Sequence, residues 1–177
     1  YSAPGAGLVA RRLVAVEGRD DAFEVLAEGA VKGRAEGAEF EAGRARWDRR
    51  LRIIDLAEGP RLREARGLEA AGFSIRSDAA KDRLEIRSGP GLRAAVRLPS
   101  ETPGAAPGLA EAEQIVVVTE DGAMQAEMLG GVRYVAGDVS AAADQMVAFA
   151  LPRGKQAEGF ALSKLILSGS VRYGQPG

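Results

Sequence analysis

The stretch Gly89-Pro90-Gly91-Leu92-Arg93-Ala94-Ala95-Val96-Arg97-Leu98 joins a glycine turn to a segment in which apolar and charged residues alternate. Its even positions from Leu92 onward are apolar, and Arg93 and Arg97 lie on the other face, which predicts a half-buried β-strand. Similar glycine turns, each closing in an aliphatic residue and a base, occur at Gly29-Ala30-Val31-Lys32, Gly59-Pro60-Arg61-Leu62-Arg63, Gly131-Val132-Arg133 and Gly169-Ser170-Val171-Arg172. The leading glycines are 30, 30, 42 and 38 residues apart. This period predicts stacked antiparallel β-hairpins.

Further strands are expected around these turns. Strand-like stretches open at Gly37, Gly72 and Gly137, their partners are expected at 51–56, 83–87 and 164–167, and 115–119 is a strongly β-branched strand. Helical periodicity is best at 56–71 and 141–149, both rich in Ala. Gly59, Pro60 and Gly67 interrupt the first of these segments, and the repeat places the second among strands. The sequence therefore predicts an all-β chain.

The repeat also suggests how the chain is organised. Residues 1–22 are a lead-in or a first strand, 23–98 contain the first repeats, and 113–177 continue the same sheet. Between them, the Pro-, Gly- and Ala-rich residues 99–112 are predicted to be an inserted loop that accounts for the longest interval. Because the terminal strands of such a stack have unpaired edges, edge-to-edge association with another sheet is expected.

Composition argues against most chemistry. The 177 residues include no His and no Cys, which removes imidazole bases, thiolate nucleophiles, disulfides and the usual zinc ligands. The net charge of −1 does not favour nucleic acid as a partner. Acidic pairs such as Glu39 with Glu41 lie in turns or beside Gly, where carboxylates are normally solvated. We therefore predict a protein that is not an enzyme and has no cofactor and no metal.

An apolar face and a set of bases are the candidate sites. If the hairpins stack into a curled sheet, its apolar residues converge, and small Ala and Gly between them leave room for an acyl chain. The predicted groove residues are Phe40, Ile53, Phe73, Ile75, Leu84, Ile86, Leu92, Val96, Met124, Met128, Met146, Phe149, Leu165, Leu167 and Val171. The bases that close the glycine turns are candidates for pairing with phosphate at a rim, namely Lys32, Arg63, Arg93, Arg133 and Arg172.

The repeat unit resembles a known family. Gly137-Asp138-Val139-Ser140-Ala141-Ala142-Ala143-Asp144-Gln145-Met146, followed by Leu165-Ile166-Leu167-Ser168-Gly169-Ser170-Val171-Arg172-Tyr173, is similar to the OstA-like repeat of the lipopolysaccharide transport proteins. Gly37 to Arg63 and Gly72 to Arg93 resemble whole units, and 23–32 and 124–134 resemble closing halves, so the resemblance covers most of 23–173.

The resemblance implies a fold and a function. It implies a slightly open OstA-like β-jellyroll in the periplasm of a Gram-negative bacterium, either soluble or held to the inner membrane by a segment outside this chain. Such proteins bind lipopolysaccharide through its acyl chains and bridge an inner-membrane ABC transporter complex to an outer-membrane translocon, in contact with copies of themselves or related jellyrolls. The bridge itself uses no cofactor.

Less specific interpretations stay open at this point. The apolar face is also what an ordinary packed core requires, and the five bases are also what a solvated sheet face requires. A structural or scaffolding module that acts through its sheet edges would share the same repeat. A carbohydrate-active β-helix is a third possibility, although its coils are usually shorter and no ladder of Asp residues recurs here.

Overall fold

The computed structural model describes residues 2–3, 6–17, 23–35, 37–64, 67–100, 106–152 and 160–174. Within these ranges the chain forms seventeen antiparallel strands and no helix, which confirms the all-β prediction. The strands are β1 (Ser2–Ala3), β2 (Ala6–Val9), β3 (Arg12–Glu17), β4 (Phe23–Ala35), β5 (Ala38–Asp48), β6 (Ile53–Ala57), β7 (Arg61–Glu64), β8 (Glu69–Ala71), β9 (Ser74–Asp78), β10 (Arg83–Arg87), β11 (Ala94–Leu98), β12 (Gly108–Ala112), β13 (Gln114–Glu120), β14 (Ala123–Ala136), β15 (Val139–Pro152), β16 (Phe160–Ser168) and β17 (Arg172–Gly174). None of the described segments is a helix with the length and apolarity that crossing a bilayer requires.

Strand pairing divides the sheet into two layers. The first layer runs β3-β4-β5-β6-β9-β10-β13-β14-β15-β16. The second runs β1-β2-β4-β5-β7-β8-β11-β12-β14-β15-β17. The long strands β4, β5, β14 and β15 belong to both layers. A single sheet is therefore folded over on itself, which is a jellyroll-like arrangement.

The fold line between the layers is marked by glycine. Bulges interrupt the long hairpins between Glu28 and Val31 and between Leu129 and Val132. Along this line, neighbouring chain segments are joined by backbone hydrogen bonds. Examples are the bonds from Gly43 N to Glu58 O at 3.2 Å and from Ser88 N to Glu113 O at 2.9 Å. All five glycine turns of the sequence repeat lie on this line, immediately before a strand or strand half of the second layer.

Between one glycine turn and the next, the chain passes once through the second layer and once through the first. From Gly59 to Gly89, for instance, β7 and β8 lie in the second layer and β9 and β10 lie in the first. The inserted loop predicted at 99–112 is wrong for its last five residues, which form β12 between β11 and β14. These residues are Gly, Leu, Ala, Glu and Ala, whose low β-propensity hid an alternation that buries Gly108, Ala110 and Ala112. Residues 1–22 contain β1, β2 and β3 rather than one strand.

The core lies between the layers. Buried residues from both layers form one apolar cluster, which extends from Leu8 and Val25 at one end to Phe160 and Leu162 at the other. In the strands the burial alternates residue by residue, as in β5, where Phe40 and Trp47 are buried and Glu39 and Arg46 are exposed. Of the two segments with helical periodicity, 141–149 lies within β15, and the described residues of 56–71 lie in β6, β7, β8 and the turns beside them. Burial between two layers thus overrides the weak helical preference of Ala.

Candidate functional site

The predicted apolar groove corresponds largely to the interior between the layers. Eight of its residues are buried in the common cluster: Phe40, Ile75, Leu84, Ile86, Val96, Met124, Met128 and Met146. Leu165 and Leu167 on β16 are partly buried and pack against the same cluster. Ten of the fifteen predicted residues are therefore brought together.

The other five residues do not face the interior core. Ile53 and Phe149 point to the outer surface of the first layer, because their neighbours Ile54 and Ala148 are the buried members of the alternation. Phe73, Leu92 and Val171 lie on the fold line and are 41%, 44% and 49% exposed. The prediction missed Ile54, Leu56 and Ile115, which are fully buried. The alternation of Ile54 with Leu56 is the sequence signal that could have identified the inward face of β6.

The described interior is closed by its own side chains. Ile86, Met128 and Ile115 are 0% exposed, and so are interior alanines such as Ala94 and Ala126. The small residues thus do not line an open channel at these positions. Between the hairpin tips of the two layers, opposite the fold line, lies a pocket of about 240 Å³. Its walls combine apolar Leu68, Leu84 and Val117 with acidic Asp78 and Asp82.

The two ends of the stack expose strand edges. Among the described residues, β3 pairs only with β4 at one end, and β16 pairs only with β15 at the other. Leu13 on β3 and Leu167 on β16 are only partly covered where the interior reaches these ends. Both ends therefore present unpaired backbone groups next to interior apolar side chains, which is the arrangement that recruits another strand.

The predicted phosphate-rim bases lie elsewhere than at the mouth of the interior. Lys32, Arg63, Arg133 and Arg172 point outward from the second layer, and Arg93 lies on the fold line. The Arg93 guanidinium donates to the carbonyl oxygens of Gly131 at 2.7 Å and Gly130 at 3.4 Å, so this base stabilises the bulge of β14. The structure does not bring the five bases together.

The outer face of the second layer holds a broad groove of about 940 Å³. Strands β2, β4, β5, β7, β8, β11 and β12 contribute its walls, and Lys32 and Arg63 are among the lining residues. Lys32 Nζ is 2.8 Å from Glu41 Oε1. This hydrogen bond and the charge of Lys32 lower the pKa of Glu41; desolvation by burial opposes them, and the charge of Arg61 on the next strand adds a lesser lowering. The same pairing raises the pKa of Lys32.

The outer face of the first layer is divided along the stack. Its N-terminal part is charged, with Arg76 Nη1 3.1 Å from Asp55 Oδ1 and an ion pair between Arg46 and Glu24 that raises the pKa of Arg46. Its C-terminal part is apolar and includes Leu129, Leu151 and Ile166, which are 41% to 53% exposed. No group of three acidic residues in the described part of the chain could hold a metal ion.

Comparison with known proteins adds no assignment to this geometry: no family model matches the chain, and no curated protein matches it in sequence.

Proposed function

We propose that this chain carries lipopolysaccharide through the periplasm and holds its acyl chains between the two layers. The observation that supports this proposal best is the continuous apolar interior, which runs from one exposed sheet end to the other. The glycine turns that resemble the OstA-like repeat all lie on the fold line, so the feature behind the resemblance is also the feature that bends the sheet.

In this proposal the closed interior opens to admit lipid. The layers are joined along the fold line by continuous backbone hydrogen bonds, whereas their hairpin tips face each other across the pocket beside Leu68 and Leu84. Separation of the tips therefore exposes the interior with the least loss of backbone pairing. Burial of each CH₂ group then contributes about 0.8 kcal/mol, which favours occupation by long acyl chains.

Transfer between carriers would have a free-energy change close to zero, because successive interiors are alike. Edge-to-edge contact through β3 and β16 would align one interior with the next. The partners in this proposal are an inner-membrane ABC transporter complex, which supplies the energy and direction, and an outer-membrane translocon, which receives the lipid.

A scaffolding module is the second candidate, and the tight interior favours it. Side chains such as Ile86 and Met128, at 0% exposure, already fill the space that lipid would need. A scaffold would act through the strand edges alone and would leave the layers closed. The two candidates therefore differ in whether interior residues ever contact a ligand.

Neighbouring residues of β16 offer a matched test. Leu167 faces the interior and Ile166 faces outward, and both are apolar and partly accessible. A photo-crosslinking residue replaces each in turn, and the protein is irradiated in a Gram-negative host and analysed by immunoblotting and mass spectrometry. Carriage predicts adducts of lipopolysaccharide at 167 and not at 166. Equal labelling at both positions, or none at 167, would overturn the proposal.

A second variant separates the two candidates. Ile86→Glu places a charge in the interior, so carriage predicts loss of lipid capture at position 167 with a folded β spectrum by circular dichroism, whereas loss of the folded spectrum would favour the packed, closed interior of a scaffold. Light scattering over a dilution series completes the comparison. Oligomers that form without lipid, with no crosslinked lipid at 167, would establish the scaffold instead.

A further inference from the structure

Charged residues on the outer face of the second layer form two rows across the strands. In the first row, neighbouring strands place Arg34, Glu39, Arg63, Glu69 and Arg97 in register, so that bases and acids alternate over five strands. Glu69 joins its neighbours directly: its carboxylate lies 3.5 Å from Arg63 Nε and 3.1 Å from Arg97 Nε. We call this set the continuous row.

The second row begins in the same way, is interrupted at two positions, and resumes with Glu111 on β12 and Arg133 on β14. Lys32, Glu41 and Arg61 are in register on β4, β5 and β7, but the next two positions, on β8 and β11, are Ala71 and Ala95. By the pattern of the continuous row, an acid would occupy position 71 and a base position 95. We call Ala71 and Ala95 the alanine gap.

The alanine gap leaves cationic charge without an internal counterion. Arg61 is directly opposite Ala71, and within the described residues no acid lies within ion-pair distance of it, although its field reaches Glu41. Arg63 and Arg97 stand diagonally beside the gap and share the single carboxylate of Glu69. Around Ala71, three arginines and one glutamate give a formal charge of +2, and Glu111, which lies opposite Ala95 and is itself opposite Arg133, borders the other side of the gap.

The dimensions of the gap suit a small anion. Strands β7 and β11 lie on either side of β8, so Arg63 and Arg97 are separated by two strand spacings, about 10 Å, and Arg61 lies two residues, about 7 Å, along β7 from Arg63. Arginine side chains can reach inward from both sides to a group centred above the methyl of Ala71. The gap also belongs to the 940 Å³ groove, which has Leu109 beside it and leaves space for the rest of a ligand.

We propose that the alanine gap is a binding site for a phosphomonoester, with Arg61, Arg63 and Arg97 as its ligands. A dianionic phosphate balances the local charge, and its oxygens accept the paired hydrogen bonds that guanidinium groups donate. The organic part lies over Ala95 and Leu109. This site faces solvent on the outer surface, so it is separate from the lipid-carrying interior proposed above. The two proposals are therefore tested independently.

Methyl NMR of the full chain tests the site directly. Inorganic phosphate is titrated at constant ionic strength while the methyl signals of Ala71 and Ala95 are followed. Saturable shifts of both signals are expected. Arg61→Gln should weaken binding about tenfold, the effect of losing one charge-assisted contact. Arg172→Gln is the matched control, because Arg172 carries the same charge on the same face but lies opposite Ala142 and outside the groove.

A gain of charge pairing provides the decisive variant. Ala71→Glu completes the second row, so its carboxylate should displace phosphate and raise the urea midpoint of unfolding by pairing with Arg61. Loss of binding together with unchanged or higher stability supports the site and rules out misfolding as the cause. The proposal is overturned if no saturable shift occurs, or if Arg61→Gln and Ala71→Glu bind phosphate as the unmodified chain does.

Two organic phosphates then identify the source of the group. Glucose 6-phosphate is titrated in solution, and vesicles of phosphatidylcholine with or without phosphatidic acid are tested by co-sedimentation. Binding that depends on Arg61 in the first experiment assigns a soluble sugar phosphate, and in the second it assigns a lipid headgroup. Binding of inorganic phosphate alone would overturn the assignment of an organic phosphomonoester.

Discussion

The hairpins β4–β5 and β14–β15 cross the same fold line with different residues. In each, two residues bulge opposite one: Gly29 and Ala30 face Gly43, and Gly130 and Gly131 face Asp144. The backbone is nearly the same, with φ values of 77° and 50° in the first bulge and 81° and 52° in the second. The bend is therefore a property of the backbone path, which either pair of residues can adopt at different conformational cost.

Beyond the bend, the two hairpins carry their large aromatic side chain on opposite strands. In the first, Gly33 on β4 faces Phe40 on β5, and the Phe40 ring occupies the space that a Cβ at Gly33 would need. In the second, Tyr134 on β14 faces Ala141 on β15. The Tyr134 ring in turn covers Gly108 on β12. The two hairpins thus each supply one ring, from opposite strands, and we expect the layer to require the volume of the ring rather than its attachment to a particular strand.

The largest effect on the free energy of unfolding is expected when the Phe40 ring is removed or moved to the neighbouring strand. Phe40→Ala should lower the free energy of unfolding by about 3–5 kcal/mol, because it opens a cavity and uncovers Gly33. The double variant Gly33→Phe with Phe40→Ala copies the arrangement of Tyr134 and Ala141, and should recover about half of this loss if volume is what matters. Urea unfolding monitored by circular dichroism measures both.

Gly33→Ala alone is the control for this pair. Its new methyl group collides with the Phe40 ring, so a loss of about 1–3 kcal/mol is expected. If the double variant is no more stable than Phe40→Ala, the ring is required on β5 itself, and the equivalence of the two hairpins fails beyond the bend.

The bulges provide a smaller and reciprocal test. Gly131→Ala should destabilise the chain by about 1 kcal/mol, because a left-handed φ is unfavourable for a residue with a Cβ. Ala30→Gly should stabilise it by about 0.5 kcal/mol, since relief of the same strain exceeds the added entropy of the unfolded chain. The nearest atom to a Cβ at Gly131 is Arg93 Nη2 at 3.8 Å, so contact does not confound the comparison. Effects of the same sign in both variants would show that the two bulges are not equivalent.

The glycine positions allowed the architecture to be predicted from the sequence. The chain changes layer at the turns that begin with Gly29, Gly59, Gly89, Gly131 and Gly169. The spacing between these turns is the length of chain that passes once through both layers. Alternation around them placed ten of the fifteen predicted groove residues in or against the interior cluster, although that cluster contains many residues that the prediction did not include. Ile53 was misplaced because Ile53 and Ile54 are both apolar; the alternation of Ile54 with Leu56 and the pairing of Ile54 with Trp47 both select Ile54 as the inward one.

Other features depend on pairing between distant strands. β12 is built from Gly and Ala around a single Leu, so its pattern is weak until β11 and β14 lie on either side of it. The charged rows of the second layer combine residues from as many as five strands, and the number of residues in each connection sets their register. The alanine gap is visible only in that register. Sequence alone therefore identified Lys32 and Arg63 as bases of interest but not Arg61.

The smallest expected effect concerns a cross-strand ion pair that distinguishes the two hairpins on the outer face of the second layer. Lys32 pairs with Glu41 in the first, whereas Arg133 faces Ala142 at the corresponding place in the second. Because Lys32 lowers the pKa of Glu41, the carboxylate stabilises the folded chain at neutral pH, and this contribution is lost as pH falls through the lowered pKa. Glu41→Ala should therefore have a slightly lower urea midpoint than the unmodified chain at neutral pH, and the difference should shrink in acid, well below the ordinary Glu pKa of about 4.3. Differences in strand propensity between Glu and Ala do not change with pH, so a midpoint difference that stays constant on acidification would assign the effect to propensity rather than to the ion pair.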